Sequence, residues 1–299
     1  MYGFLLQQQH PYKHTCNILR IVISYKCYRD LIFRRKLMIK KTIRAAVFFF
    51  AVLTVTVGAA AQDLTGRDIM LKSENREKAD TSSFQMEMVL INTSGSKRVR
   101  EVSVYKKEYT GETKSVMVFL KPADVTGVGY LSFVYDAEGK DDDRWLYMPA
   151  LKKSRRISGS SGGDYFMGTD FTYDDMSGHK TDDYEHKLLG TENQDGKTCW
   201  KIESTPKQKS SYSKFVSWVD QESLLQTKAE FYDKQGALLK VLTVSEIEKI
   251  NGFWTAKKME MVNMQKKHTT VLLTKKIEFN KDIPDSFFRV SSLESGKIK

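Results

Sequence analysis

The chain has 299 residues and a formal net charge of +11, which at face value points to nucleic acid or an anionic membrane surface. Ten of the basic residues and a single acid fall in residues 1–61, so that segment carries +9 and residues 62–299 only +2. The distribution removes the main support for a nucleic-acid partner, and none is expected.

Met38 opens a basic start with Lys40, Lys41 and Arg44, followed by an apolar run from Ala45 to Val57 and small residues ending Ala59-Ala60-Ala61. This is the pattern of a secretory signal peptide, too short in its apolar part and wrongly flanked for a permanent membrane span. Residues 38–61 are therefore expected to be removed near Ala61, and residues 1–37 to be a disordered product of an upstream start assigned in error. Cys16 and Cys27 precede the cleavage point, which leaves Cys199 alone and no internal disulfide to rely on. No cysteine follows the cleavage point directly, so no lipid-attachment signal is read there, and a soluble periplasmic monomer is expected. Residues 62–299 are long enough to bury a core at about 70% surface burial, as one domain.

Thr65 to about Lys78 reads as the one good helix. Almost everything after Ser82 alternates with a period of two. Phe84, Met86, Met88 and Leu90 face one way while Gln85 and Glu87 face the other. Val102 and Val104, Val116 to Leu120, Tyr130 to Tyr135, Arg144 to Met148, and five further runs between Phe215 and Phe279 continue the series. The separators are turn chemistry, with Asp195-Gly196 and Asn251-Gly252 the strongest hairpin signals. Roughly ten antiparallel strands exceed what a flat open sheet easily sustains, so the fold class is mainly β (α+β), curling toward a barrel or half-barrel. Met86, Met88, Met117, Phe119, Trp145, Tyr147, Phe231, Leu242, Met259 and Met261 are candidates for its inner face, with an ordinary packed core as the competing reading.

Residues 151–178, LKKSRRISGSSGGDYFMGTDFTYDDMSG, fit neither a helix nor a simple surface loop. Gly159 to Gly163 matches G-x-S-x-G, but the elbow that chemistry needs lies between a strand and a helix of a βαβ sheet, which this antiparallel pattern lacks. The segment His179 to His186 offers imidazoles and carboxylates, but its spacing fits neither one helix face nor one strand face, and Asp141-Asp142-Asp143 lacks the glycine and distal glutamate of a calcium loop. No metal or other cofactor and no enzymatic activity are expected. The physical reading is a basic strand end (Lys152, Lys153, Arg155, Arg156), a mobile glycine loop, and an amphipathic flap of Tyr165, Phe166, Met167, Phe171, Tyr173 and Met176 folding over the mouth of the half-barrel. Arg155 and Arg156 would either pair with Asp170, Asp174 and Asp175 or hold an anionic head group at the rim.

Trp145-Leu146-Tyr147-Met148-Pro149-Ala150, then Arg155-Arg156-Ile157, then Phe166-Met167-Gly168-Thr169-Asp170-Phe171-Thr172-Tyr173-Asp174-Asp175-Met176, with Ile283-Pro284-Asp285-Ser286-Phe287-Phe288 near the end, resemble the LolA-like outer-membrane lipoprotein-sorting protein family. The resemblance covers essentially all of residues 62–299. It implies an incomplete antiparallel β-barrel with a few helices covering the concave face. It also implies a periplasmic carrier holding the acyl chains of a lipoprotein or lipid, with an RND-type inner-membrane exporter or an outer-membrane acceptor as partner. The alternative is a periplasmic adaptor of a membrane transporter that binds no cargo.

Overall fold

A computed structural model describes residues 64–298, so the leader and cleavage point read from the sequence lie outside the described residues. Thirteen strands form one antiparallel sheet in the order β6-β5-β4-β3-β2-β1-β13-β12-β11-β10-β9-β8-β7. The chain runs outward from β1 (Thr81–Ile91) through β2 (Lys97–Tyr109), β3 (Glu112–Lys121), β4 (Gly129–Tyr135) and β5 (Asp143–Met148) to one edge at β6 (Lys153–Ile157). It restarts at the other edge with β7 (Tyr184–Gln194) and β8 (Lys197–Pro206). It then returns through β9 (Lys214–Asp220), β10 (Gln226–Tyr232), β11 (Leu238–Ile250) and β12 (Phe253–Asn263) to β13 (His268–Phe279), which pairs with β1. The two free edges, β6 and β7, are joined by residues 158–183. The sheet is curled but open, as the half-barrel reading required.

The alternation forecast for β1 sets the register: Met86, Met88 and Leu90 stand opposite Val102, Arg100 and Arg98 on β2 without a slip. Asp195 and Asn251 take φ of 50° and 49°, followed by Gly196 and Gly252 at 82° and 94°. Both central residues of these two hairpin turns therefore have positive φ, the geometry Asp-Gly and Asn-Gly tolerate best. The strands outside the ten forecast are β6, β7 and β8. β7 is an edge strand of mostly polar residues, so its period-two signal is faint, although the Asp195-Gly196 turn that joins it to β8 is plain in the sequence.

Curling is evident from the core. Met88, Val102, Met117, Phe119, Tyr130, Leu146 and Ile157 from one half of the strand order share a buried cluster with Phe215, Ala229, Phe231, Met261 and Leu272 from the other. That face is concave. α1 (Gly66–Glu74), opened by a reciprocal Thr65–Asp68 cap, lays Ile69 and Met70 on Ile202 and Val219. Ser217 separates Val219 from Phe215 along β9, so all three share one face and α1 covers the concave side near β7–β9.

The convex face of β2–β5 is covered too. Ile283, Phe288, Leu293 and Ile298, in the segment that holds α3 (Val290–Glu294), pack on Val116, Leu131 and Tyr147. A Cβ at Gly129 would lie 2.5 Å from Leu293 Cδ2, so any larger residue here would force Leu293 to shift. Strands β3 and β4 are buried on both faces, which is why they read as unbroken apolar runs. The same packing corrects two candidate assignments. Trp145 and Tyr147 belong to this convex cluster, while Leu146 between them faces the concave side.

Candidate functional site

The segment from Ser158 to Asp183 enters the concavity instead of roofing it. Its glycine loop is closely packed. Gly162 lies against the Asp174 carboxylate and Gly163 against Ser211 so closely that a Cβ at either would collide, and Gly162 accepts a backbone bond from Asp174 N at 2.9 Å. A narrow hairpin follows, closed by Phe166 N donating to Phe171 O at 2.8 Å. It ends in α2 (Tyr173–Ser177), capped reciprocally by Thr172 and Asp175.

The apolar side chains of this hairpin are part of the core. Phe166 is fully buried, 5.1 Å from the Tyr130 ring, 6.2 Å from Phe119 and 5.6 Å from Tyr173. Phe171 and Tyr173 are buried with it, and Met167 and Met176 pack partly buried on the same cluster. Of the wall candidates, Met88, Met117, Phe119, Phe231 and Met261 are in that cluster, and Met86, Leu242 and Met259 lean on it.

Three carboxylates fasten the flap. Asp170 Oδ2 accepts from Thr270 Oγ1 at 2.7 Å and lies 2.7 Å from His268 Nδ1. Asp174 accepts from Arg144 Nη1 at 2.9 Å, while the other arms of that guanidinium reach Ser177 and Asp142. Asp175 pairs with Lys240 Nζ at 2.5 Å, accepts from Tyr212 Oη at 3.0 Å, and has His179 Nε2 at 3.5 Å. Lys240 is wholly buried, with the rings of Tyr212 and Phe231 at 5.0 and 5.1 Å. Burial alone would raise the Asp175 carboxyl, but His179 and the Lys240 ammonium outweigh it and hold the group well below the usual carboxylate range. Burial is also the main influence on Lys240, and it pulls the amine down from its ordinary value despite Asp175.

Arg155 and Arg156, the expected partners of these acids, are exposed on β6, and Arg156 pairs instead with Asp143. Lys240, Arg144, His268 and Thr270 were missed for a definite reason: each is a polar residue inside a strand, and only strand parity marks it. Lys240 shares a face with Leu242, and Arg144 with Leu146, so period-two reading places both inside the trough. The histidines of the 179–186 segment are engaged separately. His186 Nδ1 is 2.8 Å from Ser204 Oγ and Nε2 2.8 Å from Thr181 O, and among the described residues no group of three or more acids, histidines or cysteines is placed to hold a metal. Cys199 is buried, and that burial pushes its thiol up, away from reactivity.

A polar cavity of about 190 Å³ opens at the foot of the flap, among Lys140, Asp142, Arg144, Asp174, His179 and Lys180. It is smaller than the roughly 300–1,000 Å³ of typical small-molecule sites and has the wrong lining for an acyl chain. The apolar volume a carrier would need is filled by Phe166, Phe171 and Tyr173.

A family model described only as "Uncharacterized protein" matches residues 111–295. Among curated proteins nothing matches. A solved structure described as an outer membrane lipoprotein-sorting protein domain, from Vibrio parahaemolyticus, is 33% identical, covers 77% of this chain and 98% of its own, and superposes with a TM-score of 0.73. A DUF1329 family protein from Desulfovibrio piger is also 33% identical, covering 76% and 97% with a TM-score of 0.73. A LolA superfamily protein from Nitrosomonas europaea shares the fold at 22% identity and a TM-score of 0.58, covering 76% and 98%. Among the described residues no helix is long and apolar enough to cross a membrane.

Proposed function

Because the chain belongs to the LolA-like outer-membrane lipoprotein-sorting protein family, we propose that it is a periplasmic carrier that binds acyl chains in its concave face and releases them without covalent chemistry. The observation that carries this reading is the pairing of an apolar trough, lined by Met88, Met117, Phe119, Met261 and Leu272, with a cover drawn from the same chain and fastened by ion pairs. In this closed form the flap occupies the place of cargo.

The magnitudes allow exchange. Burying Phe166, Phe171 and Tyr173 is worth roughly 5–9 kcal/mol, at roughly 1.5–3 per large apolar side chain, while an acyl chain of about fifteen methylenes brings about 12 kcal/mol. The surplus must still cover the ordering of the chain and the loss of the ion pairs. Cargo can therefore displace the flap without an irreversible grip, as a carrier that must unload requires. Handover from an RND-type exporter, or to an outer-membrane acceptor, belongs to the same proposal.

The filled trough is also what a transporter adaptor with no cargo would show. Native mass spectrometry of residues 62–299, taken from a periplasmic extract without detergent and followed by lipid analysis, separates the two. A co-purifying acyl-bearing mass supports the carrier. A bare protein mass that stays bare after incubation with envelope lipids and lipoproteins rejects it in favour of the adaptor.

A further inference from the structure

The contacts between flap and wall are chemically lopsided. The wall supplies mainly donors: Arg100 Nη1 to Met167 O at 2.7 Å, Lys240 to Asp175 and to Asp170 O, Thr270 Oγ1 to Asp170, and Asn263 Nδ2 to Tyr165 Oη. The flap supplies carboxylates, carbonyls and the Tyr165 phenol oxygen. One bond runs the other way, Asp170 N to Thr270 Oγ1. Arg100, Lys240, Asn263 and Thr270 come from β2, β11, β12 and β13, so the donors are built into the sheet and stay when the flap leaves.

Lys240 is the telling member. A fully buried ammonium is costly, and an apolar side chain of similar volume in place of such an ion pair is often neutral or stabilising, so holding the flap shut does not by itself call for a charge here. Once Asp175 withdraws, Lys240 is left at the inner wall of an apolar trough with no anion beside it. We infer that the flap imitates its cargo, with Phe166, Phe171 and Tyr173 standing in for an acyl tail and Asp175 for an anionic head group, so that the cargo is an amphiphile bearing a carboxylate or phosphate that Lys240 receives in exchange for Asp175. This rests on the carrier reading and narrows it to a class of cargo.

The test is a titration with tail-matched probes below their micellar concentrations: hexadecyl phosphate, palmitate, hexadecanol and hexadecyltrimethylammonium. The proteins are residues 62–299 as wild type and as Lys240→Met with Asp175→Asn. The double variant removes both charges together, so neither is stranded, and circular dichroism with a thermal midpoint confirms its fold. The wild type is expected to bind the two anionic probes about tenfold or more tighter than hexadecanol, the cationic probe weakest, and the double variant to bring hexadecyl phosphate and hexadecanol within about twofold. Equal affinities in the wild type, or an anionic preference that survives the double substitution, overturn the inference and leave the carrier standing. Flap release by inorganic phosphate alone also overturns it, making the site one for a free anion. No binding of any hexadecyl probe to either protein sinks the carrier reading together with the inference.

Discussion

Two segments of this chain cover opposite faces of β2–β5, and they do so by different physics. The C-terminal segment, residues 283–298, holds the convex face with Ile283, Phe288, Leu293 and Ile298, and its charged contacts stay at the rim, as between Lys107 and Asp285. The flap holds the concave face with an equally apolar set but adds an ionic contact at depth, between Asp175 and Lys240, and a shallower one from the partly exposed Asp174 to Arg144. A permanent cover needs only apolar burial. Buried ion pairs add little net stability and much specificity of placement, which suits a cover that must leave, expose its acids to water, and return to one position.

The comparison is broken most sharply by Lys240→Met alone, which strands the Asp175 carboxylate. It is expected to lower stability by about 3–5 kcal/mol in a denaturant titration, with most of the loss recovered when Asp175→Asn is added. Leu293→Ala should cost about 2–4 kcal/mol through the cavity it leaves, with no change in protease cleavage at the exposed Gly168 of the flap. Easier cleavage there would show that the two covers are coupled.

Acid should separate the covers next. The Asp175 carboxyl is depressed when folded, so its contribution is complete above the ordinary carboxylate value of 3.8 and is lost as pH falls below it. Cleavage of the flap is expected to rise only below about pH 4, ahead of any loosening of residues 287–297. His186 gives a milder effect at higher pH. Burial lowers its folded value from 6.5, so its contribution is present above 6.5 and declines as pH falls below it, loosening the contact between α1 and β7. Arg156→Gln, on the exposed β6 edge, should leave flap cleavage unchanged.

How much of this was legible in the sequence differs along the same line. Alternation on β1 and the Asp-Gly and Asn-Gly turns state the meander almost directly, because each depends on neighbouring residues. The flap's aromatic residues were also visible as a group. Its destination was not, because amphipathic spacing tells that Phe166 and Phe171 need cover but not whether they lie over a rim or inside a trough. The fasteners were hidden furthest: Asp175 and Lys240 are 65 residues apart in the chain, and the nearer arginines at 155 and 156 offered a local partner, but both lie exposed on the edge strand β6. Trp145 and Tyr147 read as trough residues because the sequence does not announce that a terminal segment returns to bury the outer face of β5.

The most direct test is amide hydrogen exchange on residues 62–299 with and without bound hexadecyl phosphate. Bound cargo should strip protection from the Asp170 amide, which donates from the flap to Thr270 Oγ1 on β13, and leave Ser292 and Leu293 on the convex cover as protected as before. Cargo bound with the Asp170 amide still protected would contradict displacement of the flap, and with it the claim that this segment holds the cargo's place.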